Sequence, residues 1–524
     1  MENSSDQKKS STRFGWLFNW RSVRRLLIVV ASCVTLLALF YGEENWRGHR
    51  ALSRFKAELQ SRGETLNLVE MAPPPVPDSQ NMAMHPLWLG LFGGGGVNDA
   101  DAARSGTTLT GPFITNPLVM QKTNPDQDEE FDTGNWMQLR RVPMEDLQAY
   151  YRRTNRLGVV EFPVATQAQA PAEDVLLALS RNDAVLALVR ESAQRPQCRF
   201  PIEYKKHYQA LLPHLSQLKK SAQVLILRCL AELSLNQTDK ALEDVLLSWR
   251  LADGLRGEPL LISQLVRMSM SQLVLQGVWE GCADHRWTEA QLVTLEHRLA
   301  SFDFLNETIQ AMRGERAGMA TAIEEIKRNR KLFETFIGSS DDSGDYSLKT
   351  ILFMSVPGGW FDQNTLFAAR LYSGYFPCVD VEHHRVLVGK LNEVGDKVGV
   401  ALSRASVFSF AARQSLPASI SVFRKAALCQ AQMNMARVAC NLERYRLANG
   451  RYPEKLEAVS PKYMAVIPND VITGKPLCYR LESDGTFVLY SVGWNEKDDG
   501  GQLGLRTGKR PAIDPNQGDW VWRY

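Results

Sequence analysis

The chain is 524 residues long, 44% hydrophobic and 23% charged, with a formal net charge of +3 at neutral pH. That is enough chain for two or three domains with sizeable cores. So small a net charge, with no Lys/Arg run interleaved with aromatic residues, excludes nucleic acid as an expected partner.

Residues 26–41 carry no charge. At ~1.5 Å of rise per residue they span ~24 Å, slightly short of the ~30 Å hydrocarbon core of a bilayer. Flanking residues must therefore help: Arg24 and Arg25 can snorkel from one edge, and Trp16, Trp20, Tyr41 and Trp46 suit the two interfaces. Lys8, Lys9, Arg13, Arg21, Arg24 and Arg25 precede the segment, whereas Glu43 and Glu44 follow it. The positive-inside rule then places residues 1–25 in the cytoplasm and nearly everything after Tyr41 in the periplasm. No small-residue cleavage site follows the apolar run. The lipobox-like Val30-Ala31-Ser32-Cys33 sits inside the run instead of ending it, so an uncleaved inner-membrane anchor is expected.

Residues 48–63 read as a short helix leaving the membrane, and Pro73-Pro74-Pro75-Val76-Pro77 as an extended spacer. The run Gly93-Gly94-Gly95-Gly96 and the polar stretch through Asp132 predict few regular elements between 72 and 141. Leu87, Trp88, Leu89, Leu91, Phe92 and Trp136 lie in that stretch and are too apolar to stay in water, which predicts docking on a neighbouring surface.

From 144 to 336 the pattern is helical almost throughout. Residues 222–233 are apolar nearly all round, the mark of a buried helix. After a turn at Asn236, a helix restarts with Leu242, Val245, Leu246, Trp249 and Ala252 inward. The pair resembles one tetratricopeptide-type hairpin of about 34 residues, and a helix-hairpin array is the expected architecture. Thr288-Glu289-Ala290-Gln291 has the spacing of a capping box, so a new helix starts after Trp287. Residues 258–279 are apolar enough to raise a second span, but Arg267 at the centre, with several Ser and Gln, predicts a core helix. In 337–415, residues 339–345 read as a polar loop, 365–375 as a helix and 381–400 as another.

In the last segment, 416–524, Phe423, Ala427, Ala431, Met435, Val438, Leu442 and Tyr445 recur every three or four residues. Asn434, Arg437, Asn441 and Arg444 mark the opposite face, which predicts a one-sided amphipathic helix. Gly450 ends it, and Pro453 forbids its continuation. Gly474-Lys475 and Ser483-Asp484-Gly485 read as turns, the second inside a hairpin. Residues 519–524 alternate, with Trp520, Trp522 and Tyr524 on one face of an edge strand. The phrase Tyr445-Arg446-Leu447-Ala448-Asn449-Gly450-Arg451-Tyr452-Pro453, together with Leu489-Tyr490-Ser491-Val492-Gly493, resembles the periplasmic part of major pseudopilins of type II secretion systems. The resemblance implies a helix followed by a short three-stranded sheet. Pilin-type processing and polymerisation are not implied, because no Gly-Phe-Glu signature precedes the N-terminal apolar run and roughly four hundred residues separate it from the pilin-like helix. The whole layout also resembles uncharacterised single-pass bacterial membrane proteins with this kind of tail. The expected fold is thus mainly α: a transmembrane helix, a periplasmic tetratricopeptide-like array and a C-terminal α+β pilin-like domain with a small antiparallel sheet.

Chemistry is sparse. None of the G-x-S-x-G, H-E-x-x-H or G-x-x-x-x-G-K-[ST] motifs occurs. The eight cysteines (Cys33, Cys198, Cys229, Cys282, Cys378, Cys429, Cys440, Cys478) include no C-x-x-C pair, which excludes zinc-ribbon and thioredoxin-like spacings. Cys429 and Cys440 lie about three turns apart on one helix, out of reach of each other; an oxidising periplasm permits other pairings, which the sequence leaves open. Cys378, Asp380, Glu382, His383 and His384 are ligand types, but adjacent histidines diverge on either regular element, so an exposed polar turn is expected. Glu280, Asp284 and His285 read as solvated residues at a helix end. The pseudopilin resemblance implies a structural calcium in the loop 493–501, held by Asp498, Asp499 and Asp519, with Asp514 as a further candidate. Lys497, Arg506, Lys509 and Arg510 make this loop more basic than the family pattern. The functional expectation is a non-enzymatic inner-membrane protein whose periplasmic part binds protein partners in the envelope. The alternatives are a periplasmic hydrolase with scattered carboxylates, or a calcium-dependent ligand-binding module.

Overall fold

The computed structural model describes residues 20–93, 114, 134–156, 162–333, 355–403, 408–416, 419–506 and 512–524. The expected polar loop at 339–345 and most of the irregular stretch 94–132 lie outside them. The helices in chain order are α1 (Trp20–Ser61), α2 (Pro86–Gly93), α3 (Met144–Arg156), α4 (Pro171–Leu179), α5 (Asp183–Ala193), α6 (Pro213–Ser234) and α7 (Thr238–Asp253). There follow α8 (Leu261–Ala283), α9 (Glu289–Leu299), α10 (Phe304–Arg328), α11 (Gly358–Tyr375), α12 (Val388–Ser403), α13 (Phe410–Ser415) and α14 (Ser419–Asn449). Two compact units result: Met1–Glu64 with Ile323–Phe367 and Ser406–Ala411, and Thr65–Ala322 with Ala368–Ala405 and Ala412–Tyr524.

In the first unit, α1 is apolar and exposed on every side through residues 26–40, and it is long and apolar enough to cross a membrane. Beyond Glu43 the helix changes character. Glu44, Gly48, Leu52, Phe55 and Leu59 are buried at intervals of three or four residues, a single packed face. The sequence suggested separate helices at 26–41 and 48–63; they are one, because Gly48 serves a close crossing and not a break. A Cβ at Gly48 would overlap the Gly359 carbonyl oxygen, and one at Gly359 would overlap the Glu44 carbonyl. Asn45 Oδ1 accepts the Gly359 amide at 2.7 Å, while Glu44 accepts the Trp360 indole at 2.9 Å and the Gln363 amide at 3.1 Å. Gly63, at φ 71°, ends the helix, with the Glu64 amide returning to the Leu59 carbonyl.

The second unit is built on α6, whose residues 224–227 and 229–233 are buried in unbroken runs. It is surrounded because α4, α7 and α8 all pack against it. The expected hairpin of α6 and α7 forms across a turn with Asn236 at φ 58°. Val245, Trp249 and Ala252 are buried as expected, whereas Leu242 and Leu246 are only half covered. Thr288 and Gln291 form the expected capping box at the start of α9. Residues 258–279 supply a core helix, α8, and its Arg267 is fully buried against the carboxylates of Glu307 and Asp253. Trp88 docks as expected: it is buried, and its indole N–H donates to Ser192 Oγ at 3.0 Å.

One expectation is corrected between 381 and 387. Instead of a helix the chain forms a small hairpin, β1 (Val379–Asp380) with β2 (Arg385–Val386), and α12 begins only at Val388. The Val386 amide is engaged by the Val471 carbonyl at 2.7 Å, a partner that local periodicity does not reveal.

α14 ends as expected at Gly450, φ 74°. Its second face, however, is covered. α14 lies against both α8 and α9, and Arg437 and Arg444 reach Glu296 and Glu289 on α9 at 2.7 and 2.8 Å. After it come β3 (Cys478–Leu481) and β4 (Phe487–Ser491), an antiparallel hairpin turned at Gly485 (φ 86°), and β7 (Trp520–Arg523). The sheet order is β3-β4-β7, with Leu489 opposite Trp522 and Tyr490 opposite Val521, so the closing strand is an edge strand. Trp279 of α8 donates its indole N–H to the Arg523 carbonyl at 2.8 Å, and Trp522 packs on Trp136 with centroids 4.8 Å apart. An unexpected second hairpin, β5 (Leu503–Arg506) with β6 (Ala512–Gly518), precedes the last strand.

Candidate functional site

The acidic loop 493–501 is held by the sheet on either side of it. All of β4 is buried, and at its end Ser491 Oγ donates to Asp470 Oδ1 at 2.7 Å. Asp470 also accepts the Ile472 amide at 3.0 Å, which locks the preceding turn to the strand. Gly493, at φ 70°, allows the loop to pass the Gly518 carbonyl, which a Cβ would strike.

Asp519, at the start of β7, is buried and accepts the Asp499 amide at 3.2 Å and the Gly501 amide at 2.6 Å. Asp498 accepts the Tyr490 hydroxyl at 3.0 Å and the Gly500 amide at 2.9 Å, and Asp499 accepts the Asn495 side-chain amide at 2.8 Å. Burial raises the pKa of Asp519, its two amide bonds oppose the rise, and the negative charges of Asp499 and Asp498 add to it. The structure thus brings Asp498, Asp499 and Asp519 into one electrostatic neighbourhood. Asp514 is elsewhere, hydrogen-bonded to Asn516 and 3.7 Å from Arg506. Lys509 and Arg510 lie outside the described residues. Among the described residues no group of three or more His, Cys, Asp or Glu side chains is arranged to hold a metal ion, so a cation here would need backbone carbonyls as well.

The other sequence-derived candidates separate. Glu280 is buried with its carboxylate on the Val142 amide (3.0 Å) and the Gln276 side chain (2.7 Å). Asp284 pairs with Arg141 at 2.6 Å, and His285 instead meets Glu443 at 3.0 Å. His383 folds back on Asp380 at 3.0 Å in an exposed turn that Arg385 also joins, while Cys378 is buried.

Sequence reading missed Glu443. Its side chain is buried in α14 and accepts the Tyr452 hydroxyl, Arg446 Nε at 3.0 Å and His285. Burial and the Glu443 charge raise the Tyr452 pKa strongly, so this phenol remains protonated and acts as a donor. The available signal was a carboxylate one turn before Arg446 on a helix whose apolar face was already assigned. Of the clefts, one is apolar and lies beside Trp88 and Leu91, and another is lined by Gln148, Ala149, Arg152, Asn155 and Val164. Neither presents a pair of converging carboxylates.

No family model, curated protein or solved structure matches this chain. The arrangement of side chains must therefore stand alone, and in the acidic loop and around Glu443 it consists of carboxylates committed to amides, phenols and an arginine.

Proposed function

We propose that this is a single-pass inner-membrane protein with a cytoplasmic N-terminus, whose periplasmic bulk is a non-enzymatic scaffold that binds protein partners in envelope or secretion assembly. The observation that carries this reading is the change of character within α1, exposed and apolar on all sides through 26–40 and then buried along one stripe from Glu44 to Leu59. An all-round apolar surface favours lipid, and a one-sided stripe favours a folded neighbour in water. The basic residues before the span and Glu43 and Glu44 after it support the orientation. The α6–α7 hairpin supports a tetratricopeptide-like reading of the helical part. The α14–Gly450 turn and the β3-β4-β7 sheet support a pilin-like tail.

The test is a pair of reporters fused after Tyr524, one active only outside the cytosol and one fluorescent only inside it. Activity of the first and silence of the second are expected, and the opposite pattern rejects the reading. Crosslinking in native membranes should then capture envelope proteins, and capture of none rejects the scaffold role. A second reading, a structural calcium at Asp498, Asp499 and Asp519, is favoured by the mutual repulsion of these carboxylates, which a divalent cation relieves. Calorimetric titration of the full chain with calcium should release heat and raise its melting temperature; neither change would remove calcium from the account.

A further inference from the structure

We propose that Cys282 and Cys440 are a disulfide pair that staples α8 to α14, formed as the chain folds in an oxidising compartment. The proposal rests on the extracytoplasmic reading above for its oxidant, and on the helix register for its geometry.

α8 and α14 run parallel. Cys429 Sγ lies 3.9 Å from the Met268 carbonyl oxygen, the Gln272 side chain donates to Gln432 at 2.7 Å, and His285 meets Glu443 at 3.0 Å. The offsets between these partners are 161, 160 and 158 residues, and the last of them carries Cys282 directly onto Cys440. Helical phase agrees: Cys440 lies eleven residues after Cys429, about three full turns, so it faces α8 as Cys429 does. Both thiols are buried, and Ala436 and Ala439 beside Cys440 are small enough to let the helices approach closely. The proximity of Cys440 is the first cause, ahead of burial, of a strongly raised Cys282 pKa.

The remaining cysteines have other surroundings. Cys429 faces the Met268 carbonyl, Cys378 the Gly374 carbonyl at 3.8 Å, and Cys229 abuts Gly277, where a Cβ would come within 2.9 Å of its sulfur. Cys33 is exposed on the apolar part of α1, Cys198 abuts Gly254, where a Cβ would come within 3.3 Å of its sulfur, and Cys478 lies opposite Tyr490 in the β3-β4 pair. Cys282 and Cys440 are thus the two whose positions coincide.

The chemistry is thiol–disulfide exchange with a carrier disulfide of the oxidising compartment. One protein thiolate attacks a carrier sulfur, forming a mixed disulfide and expelling one carrier thiolate. The second protein thiolate attacks the protein sulfur of that mixed disulfide, forming the Cys282–Cys440 bond and expelling the other carrier thiolate. Two electrons pass from the protein to the carrier, and the two protons lost by the cysteines are taken up with them. A buried thiol with a raised pKa is a poor nucleophile, so exchange precedes the closing of α14 on α8, and the finished bond is shielded from reductants.

The test uses the full chain, with free thiols alkylated at the moment of membrane lysis and the protein digested without reductant. Mass spectrometry should find a peptide pair joining Cys282 to Cys440, lost on reduction and absent from Cys282→Ser, but retained in Cys429→Ser. Loss of the bond should lower the melting temperature by about 5 °C. If the reporter after Tyr524 is extracytoplasmic and both thiols are found alkylated, the disulfide is refuted while the membrane reading stands. If the reporter is cytosolic, the membrane reading falls. The pairing is then decided by refolding the purified chain in a glutathione redox buffer, where selective joining of Cys282 to Cys440 upholds the geometry and any other pattern overturns it.

Discussion

Replacing Glu232 with Gln should abolish a pH dependence of stability that the wild-type chain carries. Glu232 on α6 is 2% exposed. Burial pushes its carboxyl up to about 8, with the charge of Asp244 adding to the rise and Arg228 opposing it. One oxygen stands 3.6 Å from Arg228, whose guanidinium is shared with Asp244 at 3.1 Å, and the other has no hydrogen-bond partner among the described residues. The folded chain therefore keeps a proton on Glu232 where the unfolded chain, at the ordinary value of 4.5, has released it. Because the native state binds more protons, this stabilising contribution is present in full below about pH 4.5 and is lost as the pH rises to about 8. At ~1.4 kcal/mol per unit of pKa, the gap sets a ceiling of about 5 kcal/mol. Arg228 is 17% exposed and admits water to the pair, so about 2 kcal/mol is the expected loss, or a few degrees of melting temperature. Urea unfolding of the detergent-solubilised chain at about pH 4 and about pH 9 reads this directly, with the variant subtracting every other titrating group. A wild-type chain that loses no more stability than Glu232→Gln over that interval refutes the reasoning.

Gly48→Val drives a branched side chain into the Gly359 carbonyl and should cost about 2 kcal/mol at that crossing; faster tryptic cleavage at Arg50 and Arg54 in membranes is the readout. Arg267→Met removes a cation that is fully buried between Glu307 and Asp253 and should destabilise by about 3–5 kcal/mol. Adding Glu307→Gln should recover part of that loss, and strict additivity of the two changes would contradict the pairing. Asp519→Asn weakens the charge-assisted bonds to the Asp499 and Gly501 amides at about 1.5–3 kcal/mol in total. Hydrogen exchange at Gly501 should accelerate accordingly, and unchanged protection would show that the loop is held by something else.

What was legible in the sequence was whatever short-range physics decides. The Thr288–Gln291 capping box, the left-handed Gly450 and the turn at Gly485 each depend on a few adjacent residues, and each appears in its expected place. The apolar run after Arg25 was equally plain, because no charge interrupts it through Tyr41. The failures are all cases of distant chain deciding local structure. Residues 379–386 form a hairpin whose second strand is engaged by the Val471 carbonyl. The polar face of α14 looked solvated because Glu289 and Glu296, its partners, lie about 140 to 155 residues earlier. Glu443 was legible only through its neighbour Arg446, since His285, which meets it from just past the end of α8, lies 158 residues earlier.

These long-range ion pairs also bear on what the second unit is for. Asp244 holds Arg190 and Arg228, Arg267 holds Glu307 and Asp253, Arg298 also holds Asp253, and Glu258 holds His214 and Ser263. Each pair joins different elements of the helical unit, so each carboxylate fixes one helix or turn relative to another. A carboxylate whose oxygens are committed to fixed cations or amides is a poor general base, because proton transfer would first have to break those bonds. The same commitment makes the helices resist sliding, which a surface that presents fixed docking positions to a partner requires and which hydrophobic packing alone specifies less sharply. The committed charges thus suit the proposed rigid scaffold, and Arg267→Met tests that link: partner capture in crosslinking should fall together with stability, and undiminished capture in the destabilised variant would reject a role for these ion pairs in docking.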